Sequence, residues 1–151
     1  LKKHDEIDTL ILYSGGGLVY VANEMADLVI DARLSTHVEF SCESSCATVF
    51  LAGKKRSLAL GGKIGFHKSY WEADSIKEYY ESEKETEGWS NIFDFASWMY
   101  EDTQSEIFTE FEYLIERGVT PKFAIETLRA GSDGMWYPRR SKLFEGGVLT
   151  D

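Results

Sequence analysis

The chain has 151 residues, a formal net charge of −10 at pH 7 and a hydrophobic fraction of 43%, as expected for one globular domain with its own core. This charge argues against sequence-independent binding to nucleic acid, because phosphate contacts need clustered Lys and Arg. No run of about 18 apolar residues is present, so we expect no membrane-spanning segment. We also expect that Leu1 is not the natural N-terminus and that any signal peptide or anchor precedes it.

Hydrophobic periodicity in the first half of the chain predicts strands that alternate with helices. The predicted elements are a strand at Thr9–Tyr13, a helix from Leu18 to about Arg33, a strand at Thr36–Phe40, a helix at Ser44–Leu51, and short strands at Leu58–Leu60 and Ile64–Phe66. This order of elements is typical of a parallel α/β unit.

Acidic side chains are concentrated in the middle of the chain. Residues 72–116 contain 14 acidic and two basic side chains, whereas the rest of the chain carries a charge of +2. We interpret 72–116 as an acidic, mainly helical insertion or arm within a single domain formed by residues 1–151, and the apolar spacing predicts a helix from Ile92 to Arg117. The segment is either a solvated excursion or a lid or partner-binding arm over a site.

The last third of the chain is predicted to be a helix followed by a turn and a strand. Thr120 and Pro121 are favourable residues at the cap and in the first turn of a helix. A polar turn is expected at residues 131–134, and a short strand is expected near Val148.

Two junctions between a strand and a helix carry residues suited to chemistry. In the first, residues 14–17 read Ser-Gly-Gly-Gly, which allows the backbone to approach a ligand closely and to present its N–H groups. A plain tight turn explains the same residues, and a phosphate loop is excluded because no Gly-Lys-Ser/Thr follows. In the second junction, residues 41–46 read Ser-Cys-Glu-Ser-Ser-Cys. A serine there is either a nucleophile beside N–H groups that form an oxyanion hole, or a helix N-cap formed by Ser44 or Ser45.

Histidine is the residue type that would serve as a base for such a serine. Of the three histidines, His4 lies in a polar lead and His37 enters a strand, whereas His67 follows the strand ending at Phe66. His67 is therefore expected at a strand end, either as a general base or as a structural or surface residue.

Cys42 and Cys46 are the only cysteines. Four residues apart across a strand-to-helix turn, they either form a disulfide, which would pin the segment carrying Ser44 and imply an oxidising compartment, or remain two buried thiols. No metal site is expected, because no histidine or further cysteine completes a ligand spacing.

These motifs together resemble the Clp protease proteolytic subunit, and the signal peptide peptidases and the wider ClpP/crotonase superfamily share the same plan. The resemblance rests on two glycines that open a helix, a serine that opens a second helix, and a strand that ends in histidine. A Cys-x-Ser-x-Cys segment followed by Phe-Leu-Ala-Gly and then Gly-Phe-His is similar to a ClpP-like group of bacterial proteins that are often periplasmic. The resemblance covers about Leu10–Tyr70 and returns weakly at Leu143–Asp151.

The resemblance implies an α/β fold of ClpP/crotonase-like stacked ββα units with a parallel sheet. It also implies that Ser44 is the nucleophile, His67 the general base, and the amides of Gly17 and Ser45 the oxyanion donors. Asp133 is the expected third member of the catalytic triad, on a count back from the final glycine turn.

The departures from the family pattern leave further candidates for each role. The other candidates are Glu43 and Asp94 for the third triad position, Lys63 or Lys68 for a base of the signal peptide peptidase kind, and Ser45 or Cys46 for the nucleophile.

The resemblance therefore predicts a serine hydrolase, and most specifically a ClpP-like peptidase acting on peptides or proteins. It implies no cofactor, a homo-oligomer, and an exported or periplasmic location, with the cytoplasm as the alternative. Two other functions stay open. One is a catalytically inactive ClpP-like module that binds a partner through 72–116, and the other is a crotonase-type acyl-CoA enzyme that uses the same oxyanion amides without a Ser/His pair.

Overall fold

A computed structural model describes residues 7–151, and His4 lies outside the described residues. The strands are β1 (Thr9–Ser14), β2 (Ser35–Glu43), β3 (Arg56–Leu58) and β4 (Lys63–Gly65). The helices are α1 (Val19–Asp31), α2 (Ser45–Leu51), α3 (Ala73–Glu83), α4 (Ile92–Glu116), α5 (Pro121–Thr127) and α6 (Arg140–Glu145). No helix within residues 7–151 combines the length and the apolar character needed to cross a membrane.

The four strands form one parallel sheet around β2, as predicted. One edge of β2 pairs with β1, and its other edge is shared, since β3 pairs with the first half of β2 and β4 with the second half. This sharing is possible because β2 has nine residues whereas β3 and β4 have three each. The end of β2 therefore lies between the ends of β1 and β4.

Alternation along β2 builds the core against α2. Thr36, Val38 and Cys42 are buried on one face of the strand, and Phe50 of α2 is fully buried as well. The hydroxyl of Thr36 donates a hydrogen bond of 2.7 Å to the carbonyl oxygen of Phe50, so the buried polar atom is paired. This contact fixes the end of α2 against the beginning of β2.

The chain divides into two compact units. One contains the described residues up to Lys68 together with Leu114–Asp151, and the other is Ser69–Tyr113. The second unit holds α3 and most of α4, and its interior is a cluster of aromatic side chains whose ring centroids lie 4.8–6.4 Å apart. The members of this cluster are Tyr79, Tyr80, Trp89, Phe95 and Trp98.

The C-terminal segment differs from the prediction. No strand forms near Val148, because the chain there closes α6 with a Schellman motif. The amide of Val148 donates to the carbonyl of Leu143 and that of Gly147 to the carbonyl of Phe144. Gly147 has φ +74°, and a Cβ at this position would lie 2.1 Å from the carbonyl oxygen of Gly118. Helix α6 itself was not predicted.

Candidate active site

Ser44 occupies a backbone conformation that side chains rarely adopt. It lies at the turn between β2 and α2 with φ 55° and ψ −132°. A residue with a side chain pays a conformational cost of about 1–3 kcal/mol in such a region, and these conformations concentrate at functional sites. Its position is that of the N-cap of α2, yet its hydroxyl forms no capping hydrogen bond. The interpretation of Ser44 as a simple helix cap is therefore wrong.

The hydroxyl of Ser44 is instead hydrogen-bonded to His67. Oγ of Ser44 and Nε2 of His67 are 2.7 Å apart, within the reach that proton transfer to a base requires. Both side chains are half-buried, so the pair is partly shielded from water and still accessible from outside. Ser44 was predicted at a strand-to-helix junction and His67 at the end of a different strand, and the sheet brings the two side chains together.

Two backbone pairings bring His67 to this position. The amide of Ser44 donates to the carbonyl of Gly65 over 3.0 Å, which extends the β2–β4 ladder into the turn. Phe66, the next residue, exchanges hydrogen bonds of 3.0 and 2.8 Å with Trp136. A Cβ on Gly65 would lie 2.6 Å from Met135, so the glycine permits the 135–137 segment to pack here. His67 therefore follows directly after a strand end that is hydrogen-bonded to Ser44 on one side and to Trp136 on the other.

The glycine-rich loop lies against the Ser44 turn. Gly16 has φ +99°, and a Cβ at this position would lie 2.6 Å from Cβ of Ser44. Ser45 Oγ donates to the carbonyl oxygen of Gly17 over 3.1 Å, which links the loop to the start of α2. Within residues 7–151, the amides of Gly17 and Ser45 donate to no protein acceptor. Both amides are therefore available to a bound oxyanion.

Cys42 and Cys46 are joined by a disulfide across the same turn, with their Cα atoms 5.3 Å apart. Both residues are buried. Because a bonded sulfur is not a thiolate, Cys46 is not the nucleophile, and Ser45 uses its hydroxyl on Gly17. Of the two options for the cysteines that the sequence leaves open, the structure contains the disulfide.

Glu43 belongs to a polar cluster beside the site. Its Oε1 accepts a hydrogen bond of 2.8 Å from the hydroxyl of Tyr137 and lies 3.3 Å from Nζ of Lys63. Hydrogen bonding with Tyr137 and with Glu43 raises the pKa of Lys63 above its ordinary value. Lys63 is thus paired with Glu43, whereas the hydroxyl of Ser44 is hydrogen-bonded to His67, so the structure does not place Lys63 as the base of Ser44. Lys68 is exposed. The hydrogen bond of Ser44 is made with His67, so His67 and not Lys68 is in the position of a base.

The structure does not bring Asp133 to His67. Asp133 is exposed on its turn, and its Oδ1 lies 3.1 Å from the position of a Cβ built on Gly131. Among residues 7–151, it forms no hydrogen bond or salt bridge with His67. The expected orienting contact with His67 is therefore not formed by Asp133, which is exposed to solvent instead. Asp94 accepts hydrogen bonds from Ser90 and Asn91 at the start of α4.

Sequence analysis did not identify the residues of the 135–137 segment that support this site. Tyr137 contacts Glu43 across a sequence separation of 94 residues. Short-range periodicity cannot detect such a contact, and no motif marks Met135 or Trp136. Within the described residues, no group of three or more His, Cys, Asp or Glu side chains is arranged to hold a metal ion.

Comparison with known proteins supports the fold and no more. No model of a protein family matches the chain, and no curated protein matches it. Among solved structures, the chain is similar to a ClpP1 mutant from Listeria monocytogenes, with a TM-score of 0.55 and 14% identity over 93% of this chain and 70% of that chain. The mixed α/β fold with a parallel sheet is therefore ClpP-like, which confirms the expected fold class.

Proposed function

We propose that the protein is a serine hydrolase, and specifically a ClpP-like peptidase, in which Ser44 is the nucleophile and His67 the general base. The observation that carries this proposal is the 2.7 Å hydrogen bond between Ser44 Oγ and His67 Nε2 on a strained turn between a strand and a helix. A serine hydroxyl becomes a useful nucleophile only when a base within hydrogen-bond distance accepts its proton.

The residues of the site supply each step of acyl transfer. His67 Nε2 accepts the proton of Ser44 Oγ while Oγ bonds to the substrate carbonyl carbon, which requires the tautomer with the proton on Nδ1. The carbonyl oxygen becomes an oxyanion that the amides of Gly17 and Ser45 stabilise, and each such donor is worth about 3–4 kcal/mol. The C–N bond then breaks, His67 returns the proton to the leaving amine, and water releases the acyl group by the same steps.

The proposed mechanism needs no carboxylate on Asp133. Removing the carboxylate from a catalytic triad that uses it lowers turnover by about 10⁴-fold, mostly by disturbing the histidine tautomer. Here His67 is held by the strand end itself, since Phe66 is paired with Trp136 in both directions. We propose a Ser–His pair, positioned by the backbone, as the reacting unit.

The test is labelling with a fluorophosphonate probe, followed by mass spectrometry of the modified peptide. We expect a single adduct on Ser44, loss of the adduct in Ser44→Ala, and retention in Ser57→Ala. Ser57 is the matched control because its hydroxyl is also hydrogen-bonded to a histidine, His37. An adduct that persists in Ser44→Ala would move the nucleophile elsewhere. No adduct in folded wild-type protein would favour the inactive partner-binding module.

A second assay separates a peptidase from other serine hydrolases. We expect fluorogenic peptide amides to be cleaved by the wild-type protein and not by Ser44→Ala. If activated esters are cleaved and no peptide is, the proposal of a serine hydrolase stands and the more specific proposal of a peptidase is overturned. Turnover of an acyl-CoA thioester that survives Ser44→Ala would favour the crotonase-type alternative.

We also propose that the protein is a homo-oligomer. The support is an apolar stripe on α1 that the chain leaves exposed, with large side chains spaced three and four residues apart. Its members are Leu18, Val21, Met25 and Leu28. Light scattering on the purified protein measures the mass directly. We expect more than one chain per particle, and a particle with the mass of one chain would overturn this part of the proposal.

A location outside the cytosol is proposed on the disulfide between Cys42 and Cys46. Disulfides of this kind persist in the periplasm and in other oxidising compartments, whereas cytosolic thiols are kept reduced. Alkylation of free thiols in freshly lysed cells tests this proposed location. We expect the disulfide-bonded protein in the exported fraction. A protein whose two cysteines are fully reduced in the cell would contradict the proposal.

A further inference from the structure

We infer that the disulfide between Cys42 and Cys46 is the positioning element of the Ser44 turn, so that the protein becomes a competent hydrolase only after these two cysteines are oxidised. The inference rests on the proposed function, because it concerns the same nucleophile. It adds a requirement to the proposed function, namely that the disulfide must form before the site is complete.

The two bonded cysteines are anchored in different rigid elements. Cys42 is fully buried in β2 and is paired with Ser14 of β1 and with Ile64 of β4. Cys46 is the second residue of α2 and is 6% exposed. The bond therefore joins the centre of the sheet to the first turn of the helix, and it encloses only residues 43–45.

The enclosed residues are those whose geometry the chemistry needs. Ser44 carries the hydroxyl, and Ser45 carries one of the two amides proposed for the oxyanion. A conformation such as that of Ser44 persists only where the surroundings determine it completely. Two backbone hydrogen bonds contribute, from Ser44 to Gly65 over 3.0 Å and from Ala47 to Ser44 over 2.9 Å. Water can replace both partners, whereas it cannot replace the bond between the sulfurs.

Breaking the disulfide should change the conformation of residues 43–45 more than it changes the stability of the whole domain. The enclosed loop is short, and a disulfide constrains the unfolded chain less when its loop is short. The sheet and the core around Val38 and Phe50 do not depend on the bond, because both residues are fully buried by packing. Freed from the bond, Ser44 relaxes toward the common backbone regions, and its Oγ leaves the position 2.7 Å from Nε2 of His67.

The chemistry of the completing step is thiol–disulfide exchange with a disulfide oxidant. Two cysteine thiols and one oxidant disulfide give the Cys42–Cys46 bond and two oxidant thiols, so that two electrons and two protons leave the protein. Both cysteine residues are buried in the folded chain, so the exchange occurs while the turn is still open. The same burial protects the finished bond from reducing agents.

The experiment compares oxidised and reduced protein that are both folded. The protein is reduced during refolding, its free thiols are counted by alkylation and mass spectrometry, and its secondary structure is checked by circular dichroism. We expect the reduced protein to label with the fluorophosphonate probe at least tenfold more slowly than the oxidised protein. Re-oxidation with oxidised glutathione should restore the rate, which irreversible damage during refolding would not allow.

A double variant, Cys42→Ala with Cys46→Ala, controls for effects of the reductant. We expect it to label slowly whether or not reductant is present. Reduced, folded protein that labels as fast as the oxidised form would overturn the inference. A reduced form and a double variant that both lose the fold would also overturn it, since the bond would then support the whole domain.

Hydrogen exchange makes the inference independent of the proposed function. The amide of Ser44 is protected by the carbonyl of Gly65, and we expect its exchange to become at least tenfold faster on reduction while amides of α5 keep their rates. Equal exchange in both forms would overturn the positioning role, whatever the label does. A third outcome is that the oxidised protein does not label, while the amide of Ser44 exchanges faster on reduction. This outcome would overturn the proposal of a serine hydrolase and would leave the positioning role of the disulfide in place.

Discussion

The sheet contains two serine–histidine pairs of nearly equal length in different surroundings. Ser44 and His67 are 2.7 Å apart at the end of β2, and Ser57 and His37 are 2.8 Å apart across β2 and β3. In the second pair, the residues are direct neighbours in the strand register. A short Ser–His distance is therefore not sufficient to identify a nucleophile.

What distinguishes the pairs is the backbone around each serine. Among the described residues other than glycine, only Ser44 and Arg33 have positive φ, so Ser57 lies in ordinary strand backbone. The amide of Ser45 follows Ser44, and the glycine-rich loop lies against it. Ser57 lies within a regular parallel ladder between β3 and β2. The comparison teaches that the turn, together with the hydrogen bond, distinguishes the proposed nucleophile Ser44 from Ser57.

The largest difference is expected when each histidine is removed. His67→Ala should lower the rate of fluorophosphonate labelling and of hydrolysis by roughly 10²–10⁴-fold, because Ser44 loses its base. His37→Ala should leave both rates within about threefold, since its partner takes no part in the chemistry. Steady-state kinetics of both variants measure this, and a loss below tenfold in His67→Ala would make His67 a structural residue.

A smaller difference is expected from two adjacent glycines. A Cβ on Gly16 would lie 2.6 Å from Cβ of Ser44, whereas a Cβ on Gly15 meets no atom within 4 Å. Gly16→Ala should therefore displace Ser44 from its position beside His67. A displacement near 1 Å usually lowers turnover by up to about 10²-fold, and we expect a loss of that size. Gly15→Ala should stay near the wild-type rate. Equal rates in the two variants would show that the loop does not set the position of Ser44.

A still smaller effect is expected from the hydroxyl of Ser45. Ser45→Ala removes its hydrogen bond to the carbonyl of Gly17 and keeps the backbone amide. A hydrogen bond of this kind is worth about 0.5–1.5 kcal/mol, so the rate should fall roughly two- to twelvefold. The kinetics should show a lower kcat with little change in KM, and a loss as large as that of Ser44→Ala would make Ser45 the nucleophile instead.

The smallest effect is expected at Asp133. Asp133→Asn should keep turnover within about twofold, because this exposed carboxylate forms no hydrogen bond with His67 in the described chain. A full pH–rate profile of the variant is the measurement. A drop near 10⁴-fold, as in triads that use their carboxylate, would restore Asp133 to the reacting unit.

Local sequence patterns predicted the elements that carry the site. The apolar run Thr9–Tyr13 and the β-branched segment from Thr36 predict two strands, and each leads into a junction rich in glycine or serine. The expectation that the first strand is buried is wrong, because Leu12 is the one buried residue of β1. The parallel arrangement then requires that these junctions meet at one edge of the sheet. For this reason the positions of Gly17, Ser44 and His67 in the sequence are sufficient to predict that they meet at one edge of the sheet.

The parts that could not be predicted depend on contacts between distant segments. Trp136 pairs with Phe66, and Tyr137 reaches Glu43, although about 70 to 94 residues separate the partners. Counting back from a glycine turn placed Asp133 near His67, but the outward direction of its turn is a property of the backbone that the count does not include. The conformation of Ser44 likewise follows from tertiary packing, since serine itself disfavours it.

Arg56 links the middle of the chain to its last residues, with a consequence for synthesis. Its guanidinium is 5% exposed and donates to the carbonyl oxygens of Gly147, Val148 and Leu51 over 2.8, 2.9 and 3.2 Å. Its amide also donates to the hydroxyl of Thr150. On the ribosome, two of these carbonyls, those of Gly147 and Val148, are made more than 90 residues after Arg56. The buried guanidinium therefore lacks these two partners until residues 147 and 148 have been made, so the surroundings of β3 are completed late in the folding of this domain.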